Sequence, residues 1–293
     1  MNIESFKVFC DLVETKSFSK AAELNRITQS AVSQQVRAIE NRFNVLLIER
    51  NRRQFQLTRE GQTFYEGSRR VHEAFENLQG GIQELTSTIS GEIRISSVYS
   101  IGLHDLPDYI KAFMRKHPTV KIHVEYRRSA QVYEDILNSQ ADLGLVAFPS
   151  SRRHIAFEPF RKDRLVLVCH PQHYFANFQS MPIRQILGHK LVGFDPDLPP
   201  RMALDKIFKS HKMNMKPVME FDNVETLKRA VEIDAGVSVV PLSTVTQEVR
   251  NKTLKVVEFS DEEILRPLGI IFRKNKVFTP AMKKFMGILK SSV

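Results

Sequence analysis

The first 58 residues carry apolar side chains at the spacing of short helices, separated by polar breaks. Residues 3–15 predict an amphipathic helix with one buried face, and a second short helix follows from Ser19. Thr28 is a good N-cap for a third helix, which the pattern extends to about Phe43. Two alanines in the second helix allow another helix to approach it closely, so these helices are expected to pack together.

The third predicted helix has two chemically different faces. Its apolar residues recur at helical spacing and are expected in the core: Val32, Val36, Ile39 and Phe43. The opposite face carries hydrogen-bonding side chains: Gln29, Ser30, Ser33, Gln34 and Arg37. Glutamine can bond an adenine edge and arginine a guanine edge in the DNA major groove. This face therefore predicts DNA contact, and the alternative is a solvated helix face.

Base reading and phosphate contact are expected from different residues of this surface. Paired donors and acceptors suit four side chains for base edges: Gln29, Ser33, Gln34 and Arg37. Thr28, Ser30 and the amides at the helix N-terminus are better placed for phosphate, which positions a protein on DNA without reading its sequence.

Two short apolar stretches after the third helix predict a β-hairpin with a basic tip. Residues 46–49 and 55–57 flank a polar segment that holds Arg50, Arg52 and Arg53. Such a tip suits a wing that touches the DNA backbone or enters a narrowed minor groove. A solvated charge cluster is the alternative, and the position directly after a helix-turn-helix favours the wing.

Thr58 is expected to cap a long helix with an apolar seam. Spacings of four and three relate the apolar residues of this seam, which are Val71, Phe75, Leu78, Ile82, Leu85 and Ile89. The pattern is typical of a coiled coil and predicts a homodimer, while packing on the chain's own domain is the alternative. Gly80 and Gly81 lie inside the seam, so a bend or an early helix end there stays open.

From Ser90-Gly91 onward, strand-like runs alternate with helical ones, which predicts a mainly parallel sheet. A second set of strands and helices predicts a second lobe, and the last segment returns to the first lobe. Ligands of open parallel sheets bind beyond the carboxyl ends of the strands, so a small-molecule effector is expected between the lobes.

The chain is thus expected to be an α/β protein in three parts. These are a winged helix-turn-helix DNA-binding domain (1–58), a long linker and dimerisation helix (59–90), and a two-lobed effector-binding domain like that of periplasmic binding proteins (91–293). Lobe I is expected to span about 91–161 and 267–293, and lobe II about 162–266.

The net charge of +10 on 293 residues is typical of a protein with a polyanionic partner, but the excess is unevenly distributed along the chain. Residues 1–90 hold 12 Lys or Arg and 11 Asp or Glu, so most of the excess lies in the second part of the chain. Residues 26–59, however, carry seven arginines and two glutamates, a local charge of +5. This local excess supports double-stranded DNA as a partner.

Composition and motifs argue against several other classes of protein and of binding site. No apolar run approaches the length of about 18 residues that a membrane span needs, and Glu4 and Lys7 interrupt the position of a secretory signal. A cytoplasmic location without membrane contact is therefore expected. Cys10 and Cys169 lie far apart and predict buried small side chains, with neither a disulfide nor a metal site. The P-loop, HExxH and GxSxG motifs are missing, so neither an enzyme nor a cofactor is predicted.

Several segments together resemble LysR-type transcriptional regulators. The segments that carry the likeness are residues 17–22, 29–36, 38–40, 47–50, 57–61, 100–102, 106–107, 141–145, 235–237 and 241. Asn44 stands where the family usually has glycine, and Ile48 stands where it usually has phenylalanine. Both departures keep the local requirement, since asparagine tolerates left-handed backbone and isoleucine is apolar.

The resemblance implies a homodimer on a dyad-symmetric operator, with pairs of dimers forming a homotetramer, and it admits RNA polymerase as a further partner. It places Ser100 and Ile101 at effector-contact positions of the first lobe and Ser129 at a second such position. Helix capping without a ligand is the alternative role for Ser100 and Ser129.

Three residues of the second lobe complete the candidate effector site. They are Arg201, at the start of a predicted helix, and Asn223 and Val224, which follow the end of a strand. The basic excess of this half favours an anionic effector such as a carboxylate or phosphate metabolite. A solute-binding protein whose N-terminal helices serve only for assembly is the second functional alternative.

Overall fold

The computed structural model describes residues 2–49, 55–85, 89–274 and 276–291, apart from the side chains at 76, 77, 79–81 and 83–85. The chain divides into two compact units, Met1–Ile89 and Ser90–Val293. Among the described helices, none is both long enough and apolar enough to cross a lipid bilayer.

The first unit opens with three helices, α1 (Ile3–Thr15), α2 (Phe18–Asn25) and α3 (Gln29–Phe43). The Oγ1 atom of Thr28 accepts a hydrogen bond from the Ala31 amide, so the predicted cap of α3 is confirmed. The start predicted for α2 is wrong by two residues. Ser17, not Ser19, has extended backbone and accepts from the Lys20 amide, so the helix begins at Phe18.

The core of this unit lies where α1, α2 and α3 meet. Val32, Val36 and Ile39 are buried there as the helical spacing predicts. Phe43 is not a core residue, since it is 49% exposed and touches only the edge of the core through the ring of Phe64, 5.6 Å away. Phe43 is the last residue of α3.

A hairpin base and a long helix follow α3. Ile48 and Leu57 pair in antiparallel fashion, and Thr58 caps α4 (Arg59–Leu85) by accepting from the Gly61 amide at 2.9 Å. The helix runs unbroken through positions 80 and 81, so the two glycines neither bend it out of helical geometry nor end it.

The second unit begins with a parallel arrangement. Its elements in lobe I are β1 (Gly91–Val98), α5 (Tyr99–His104), α6 (Leu106–Lys116), β2 (Val120–Arg127), α7 (Ser129–Leu137) and β3 (Leu143–Ala147). Strand β1 lies between β2 and β3 and is parallel to both. The carboxyl ends of the three strands therefore meet at one edge of the sheet.

A long strand, β4 (Ile155–Cys169), then carries the chain into lobe II. The elements that follow are β5 (Ser180–Met181), β6 (Leu191–Phe194), α8 (Pro199–Ser210), β7 (Pro217–Phe221), α9 (Val224–Glu232), β8 (Ser238–Pro241), α10 (Thr246–Asn251), β9 (Lys255–Phe259), β10 (Leu265–Arg273) and α11 (Pro280–Lys290). Strand β10 pairs in antiparallel fashion with both β3 and β4. The expectation of a mainly parallel sheet is thus wrong for the centre of this unit, where the return strands create a mixed sheet.

The apolar run at the end of β4 separates two cores of lobe II. Leu165, Leu167 and Cys169 face one buried cluster, whereas Val166 and Val168 face the other. Because successive side chains of a strand point to opposite faces, a continuous apolar run requires a core on both sides. Cys10 and Cys169 are both buried, as expected, and burial raises the pKa of the Cys169 thiol to about 11.

Gly61 allows the start of α4 to lie against the hairpin base. A Cβ atom at this position would stand 2.0 Å from the carbonyl oxygen of Leu47, which is itself buried. Gly67, two turns further along α4, has no neighbour within 4 Å of such an atom. The same substitution thus meets opposite environments within one helix.

We expect Gly61→Ala to lower the free energy of unfolding by about 1–3 kcal/mol, because backbone must move to admit the methyl group. Gly67→Ala is the matched control and should raise it by up to about 1 kcal/mol through helix propensity. Urea denaturation of both variants measures the difference. Equal effects of the two substitutions would contradict the close packing of α4 on Leu47.

Candidate nucleic-acid interface and effector cleft

The polar face of α3 is open to solvent. Gln29, Ser30, Gln34 and Arg37 are exposed and Ser33 is half-buried, while Val32 and Val36 on the other side are buried. The amphipathic packing therefore presents the predicted base-reading residues together on one face of one helix. Thr28 is exposed at the start of α3, where its hydroxyl lies 2.9 Å from that of Ser30.

The hairpin base is tied to α3 by a buried carboxylate. Glu40 is 5% exposed, and its Oε1 atom accepts from the Leu47 amide at 2.9 Å. Glu49 and Thr58 extend the pairing by donating to the carbonyls of Gln56 and Leu47, at 3.0 Å and 3.1 Å. The predicted basic tip, with Arg50, Arg52 and Arg53, lies outside the described residues.

Three residues of the apolar seam of α4 are exposed in the part of the chain that the structure describes. Val71, Leu78 and Ile82 are 38%, 60% and 57% exposed. The first half of the helix, by contrast, contacts α1, and the rings of Phe64 and Phe9 meet edge to face with centroids 5.1 Å apart. Leu78 and Ile82 thus leave most of their apolar surface open to solvent, whereas Phe75 and Ile89 of the same seam are half-buried.

A cleft lies between the two lobes of the second unit, at the carboxyl ends of the parallel strands. Val98, Arg127 and Ala147 line it at the ends of β1, β2 and β3. From lobe II, Phe194 lines it at the end of β6, and Asp222 directly follows β7. This is the position that the strand rule predicts for a ligand.

Four of the six residues predicted to contact an effector line this cleft: Ser100, Ser129, Asn223 and Val224. The side chains of two of these four residues already form hydrogen bonds within the protein. The Oγ atom of Ser100 accepts from Arg266, and the side-chain oxygen of Asn223 caps α9 by accepting from the Glu225 and Thr226 amides at 3.0 Å. The side-chain oxygen of Asn223 is therefore used to cap α9, while the residue itself still lies at the cleft wall.

The other two predicted residues do not line the cleft. Ile101 is fully buried in α5. Arg201 donates to the Phe194 carbonyl and to Glu220, both at 2.7 Å, and it also pairs with Asp205. Its guanidinium is thus held within lobe II by two carboxylates and a carbonyl, and the structure gives no support to its predicted contact with an effector.

Arg266 on β10 forms a buried charged group at the cleft floor. It is 1% exposed and donates to Ser100 at 2.9 Å and to Asp163 at 3.4 Å, and Asp105 lies 3.9 Å away. Burial lowers the pKa of Arg266, while the two carboxylates oppose that shift. Among the described residues, its Nε atom has no hydrogen-bond partner. A buried donor without a partner beside a cleft suits a ligand that brings an acceptor.

Two adjacent arginines line the lobe I side of the cleft and have different partners. Arg127 pairs within lobe I, with Glu125 and, at 3.6 Å, with Asp135. Arg128 reaches across to lobe II, where its Nη2 atom lies 3.0 Å from Asp195 and 3.1 Å from Asp197. The amides at the start of α7 lie beside Arg128, and Gln131 accepts from the Arg128 amide at 3.2 Å.

Both units match sequence models of one family. A model described as bacterial regulatory helix-turn-helix protein, lysR family, matches residues 3–62, and one described as LysR substrate binding domain matches residues 86–293. The chain belongs to the LysR family of transcriptional regulators. As a member of the LysR family, it is a DNA-binding regulator with an effector-binding domain.

Named relatives and solved structures agree with the LysR assignment. The transcriptional activator CmpR of Synechocystis is 26% identical over 287 residues, which cover 98% of this chain and 94% of the relative. A variant of full-length OxyR from Pseudomonas aeruginosa has a TM-score of 0.77 at 19% identity, with 100% of this chain and 99% of that chain covered. Full-length CbnR in complex with its target DNA has a TM-score of 0.67 at 19% identity, with both chains covered completely.

Sequence reasoning missed several residues that line the cleft of this LysR regulator. Phe194, Ala147 and Val98 end parallel strands, so the strand rule that predicted the cleft could also have named them. Arg266 was also missed. It lies at the end of the range predicted for lobe II (162–266), whereas in the structure it is part of β10, which begins at Leu265. A lone arginine next to an apolar strand was the available signal.

Proposed function

We propose that the exposed face of α3 reads an operator in the DNA major groove. The observation that carries this proposal is the orientation of α3, whose buried Val32 and Val36 leave Gln29, Gln34 and Arg37 facing solvent together. Bidentate bonds from glutamine and arginine to base edges discriminate between base pairs. Ser33 supplements these contacts, and Thr28, Ser30 and the α3 amides hold phosphate.

The hairpin after α3 acts as the wing in this proposal. Arg50, Arg52 and Arg53 contact the DNA backbone or the minor groove beside the recognition helix. Support comes from the antiparallel pairing of Ile48 with Leu57, because these two residues flank the arginine-bearing segment in the sequence. Arginine contacts to phosphate add salt-dependent affinity without base preference.

Gln29→Ala and Arg37→Ala are each expected to weaken binding to the operator by about 5- to 100-fold, because each removes base contacts worth about 1–3 kcal/mol. Binding to DNA of unrelated sequence should change much less. Fluorescence anisotropy with fragments from upstream of the regulator's own gene, at several salt concentrations, measures both affinities.

Arg42→Ala is the control for that experiment. Arg42 is exposed on the same helix, but at 100° per residue it lies about 140° around the axis from both Gln29 and Arg37, opposite the midpoint between them. It should therefore leave operator affinity close to that of the wild type. If Gln29→Ala and Arg37→Ala bind the operator as tightly as Arg42→Ala does, α3 is not the recognition helix.

We further propose that two chains pair through α4 as a homodimer and that dimers associate as a homotetramer. The exposed Leu78 and Ile82, at coiled-coil spacing on a helix of 27 residues, support the pairing. A twofold pair presents two recognition helices and so fits a dyad-symmetric operator. Tetramer formation is proposed from family membership alone, and a measurement of the molecular mass in solution tests it.

The double substitution Leu78→Glu with Ile82→Glu should raise the dimer dissociation constant at least about a hundredfold, since burying each apolar side chain contributes about 1.5–3 kcal/mol. Sedimentation velocity over a range of concentrations measures this change. Leu78→Met with Ile82→Met keeps the surface apolar and should leave the assembly intact. A dimer unaffected by the glutamates would exclude this seam as the interface.

The effector is proposed to be a small metabolite with an anionic group, bound between the lobes. Arg128 and the start of α7 at Ser129 supply positive charge and amides at the cleft wall, and the free Nε atom of Arg266 supplies a buried donor. Charged hydrogen bonds of this kind favour carboxylate or phosphate ligands. Ser100, Asn223 and Val224 complete the wall around the bound group.

The protein acts in this proposal as a cytoplasmic transcription regulator and not as an enzyme. Its named relatives are regulators, and its DNA-binding unit requires access to the chromosome. RNA polymerase is a further proposed partner, as for a regulator that acts at promoters. A solute binder without DNA affinity, the competing class, would show no preference for the operator in the anisotropy experiment.

A further inference from the structure

Besides the contacts of Arg266 at the cleft floor, side-chain contacts between described residues join the lobes at two further places. His104 on α5 lies 2.7 Å from Glu225 on α9, measured between Nε2 and Oε1. Arg128, at the start of α7, pairs with Asp195 and Asp197 in the loop that follows β6. The two contacts differ in how firmly the rest of the fold supports them.

The contact between His104 and Glu225 is anchored in lobe II. The same Oε1 atom of Glu225 also lies 3.1 Å from Lys228, which is 1% exposed and pairs in turn with the buried Glu248 at 2.8 Å. Helix α5 also touches the turn at 242–245, which lies against β4. This contact therefore belongs to the crossover side of the cleft, where the lobes are continuous through β4 and β10.

The contact of Arg128 lies at the open side and depends on exposed groups. The side chains of Arg128, Asp195 and Asp197 are 36%, 29% and 73% exposed. Exposed ion pairs are weak and are screened by salt. Among the described residues, Arg128 alone pairs with the carboxylates of Asp195 and Asp197, so this contact can open without disturbing a buried network.

The two carboxylates also occupy Nη2, the nitrogen that a bidentate anion would share with either Nε or Nη1 of Arg128. Arg128 lines the cleft, and both aspartates bond to its Nη2 atom. A carboxylate or phosphate ligand presents the same acceptor chemistry to the guanidinium. Asp195 and Asp197 of lobe II thus take the place on Arg128 that an anionic ligand would take.

We propose that Arg128, Asp195 and Asp197 form an electrostatic latch that holds the lobes together in the ligand-free regulator. An anionic effector displaces the two aspartates from Arg128, so the same event binds the effector and releases the latch. The exchange step rests on the anionic effector proposed above, whereas the latch itself does not. A neutral ligand would leave the latch closed, so Arg128 selects effectors by charge.

Arg127 provides a matched control within the same dipeptide. It also lines the cleft and also pairs with two carboxylates, but both belong to lobe I. Loss of Arg127 removes the same charge from the cleft without removing a contact between lobes.

The latch can be tested by measuring the distance between lobes in the full-length protein. Glu134 on α7 and Lys206 on α8 are exposed and can be replaced by cysteine for spin labelling, while both native cysteines are buried. Dilution of labelled chains with unlabelled ones limits distances between subunits. Double electron–electron resonance then compares the wild type with Arg128→Gln, with Asp195→Asn plus Asp197→Asn, and with Arg127→Gln.

Arg128→Gln and the double aspartate variant should both enlarge the long-distance population about fivefold, while Arg127→Gln should match the wild type. High salt should open the wild type but not Arg128→Gln. An unchanged distribution in Arg128→Gln, or equal opening in Arg127→Gln, would overturn the latch.

Inorganic phosphate tests the exchange step. At equal ionic strength, phosphate should shift the wild-type distribution toward that of Arg128→Gln more than chloride does. If phosphate and chloride act alike while Arg128→Gln opens, the latch stands and the exchange is wrong. Operator binding does not enter these measurements, so failure of the latch is distinguishable from failure of the DNA-binding proposal.

Discussion

The packing of α3 against α1 and α2 is the interaction on which the DNA-binding unit depends. Val32, Val36 and Ile39 can be buried only if the opposite side of the helix faces outward, and that side carries Gln29, Gln34 and Arg37. Burial of apolar surface therefore determines which side chains can meet DNA. The buried Glu40, bonded to the Leu47 amide, extends the same constraint from the helix to the hairpin base.

In the effector-binding unit, the pairing of β4 with β10 has the corresponding role. These two strands run antiparallel through the junction of the lobes, and Arg266 faces Asp163 directly across them. Because the parallel strands of both lobes end at the same cleft, charge at this junction lies at the floor of the ligand site. Buried ionic groups of this kind are costly to disrupt, so the floor is expected to stay rigid while the exposed contacts of Arg128 exchange.

Elements with strong periodicity or clear caps could be predicted from the sequence. Thr28 and Thr58 cap the helices that they were expected to cap, and the cleft lies where strand ends indicated. Strand direction could not be predicted, because the antiparallel return of β10 depends on contacts distant in sequence. The partners of Arg201 and Arg128 could not be predicted either, because the sequence does not show which carboxylates the fold places beside each arginine. The residues at the basic tip remain a prediction.

The central claim is that paired α3 helices read DNA as a twofold unit. Hydroxyl-radical footprinting with the full-length protein, on the fragment upstream of its own gene, tests it most directly. The account predicts two protected half-sites related by a dyad, with centres separated by a whole number of helical turns, each about 10–10.5 base pairs. A single unpaired site, or protection that does not depend on sequence, would contradict it.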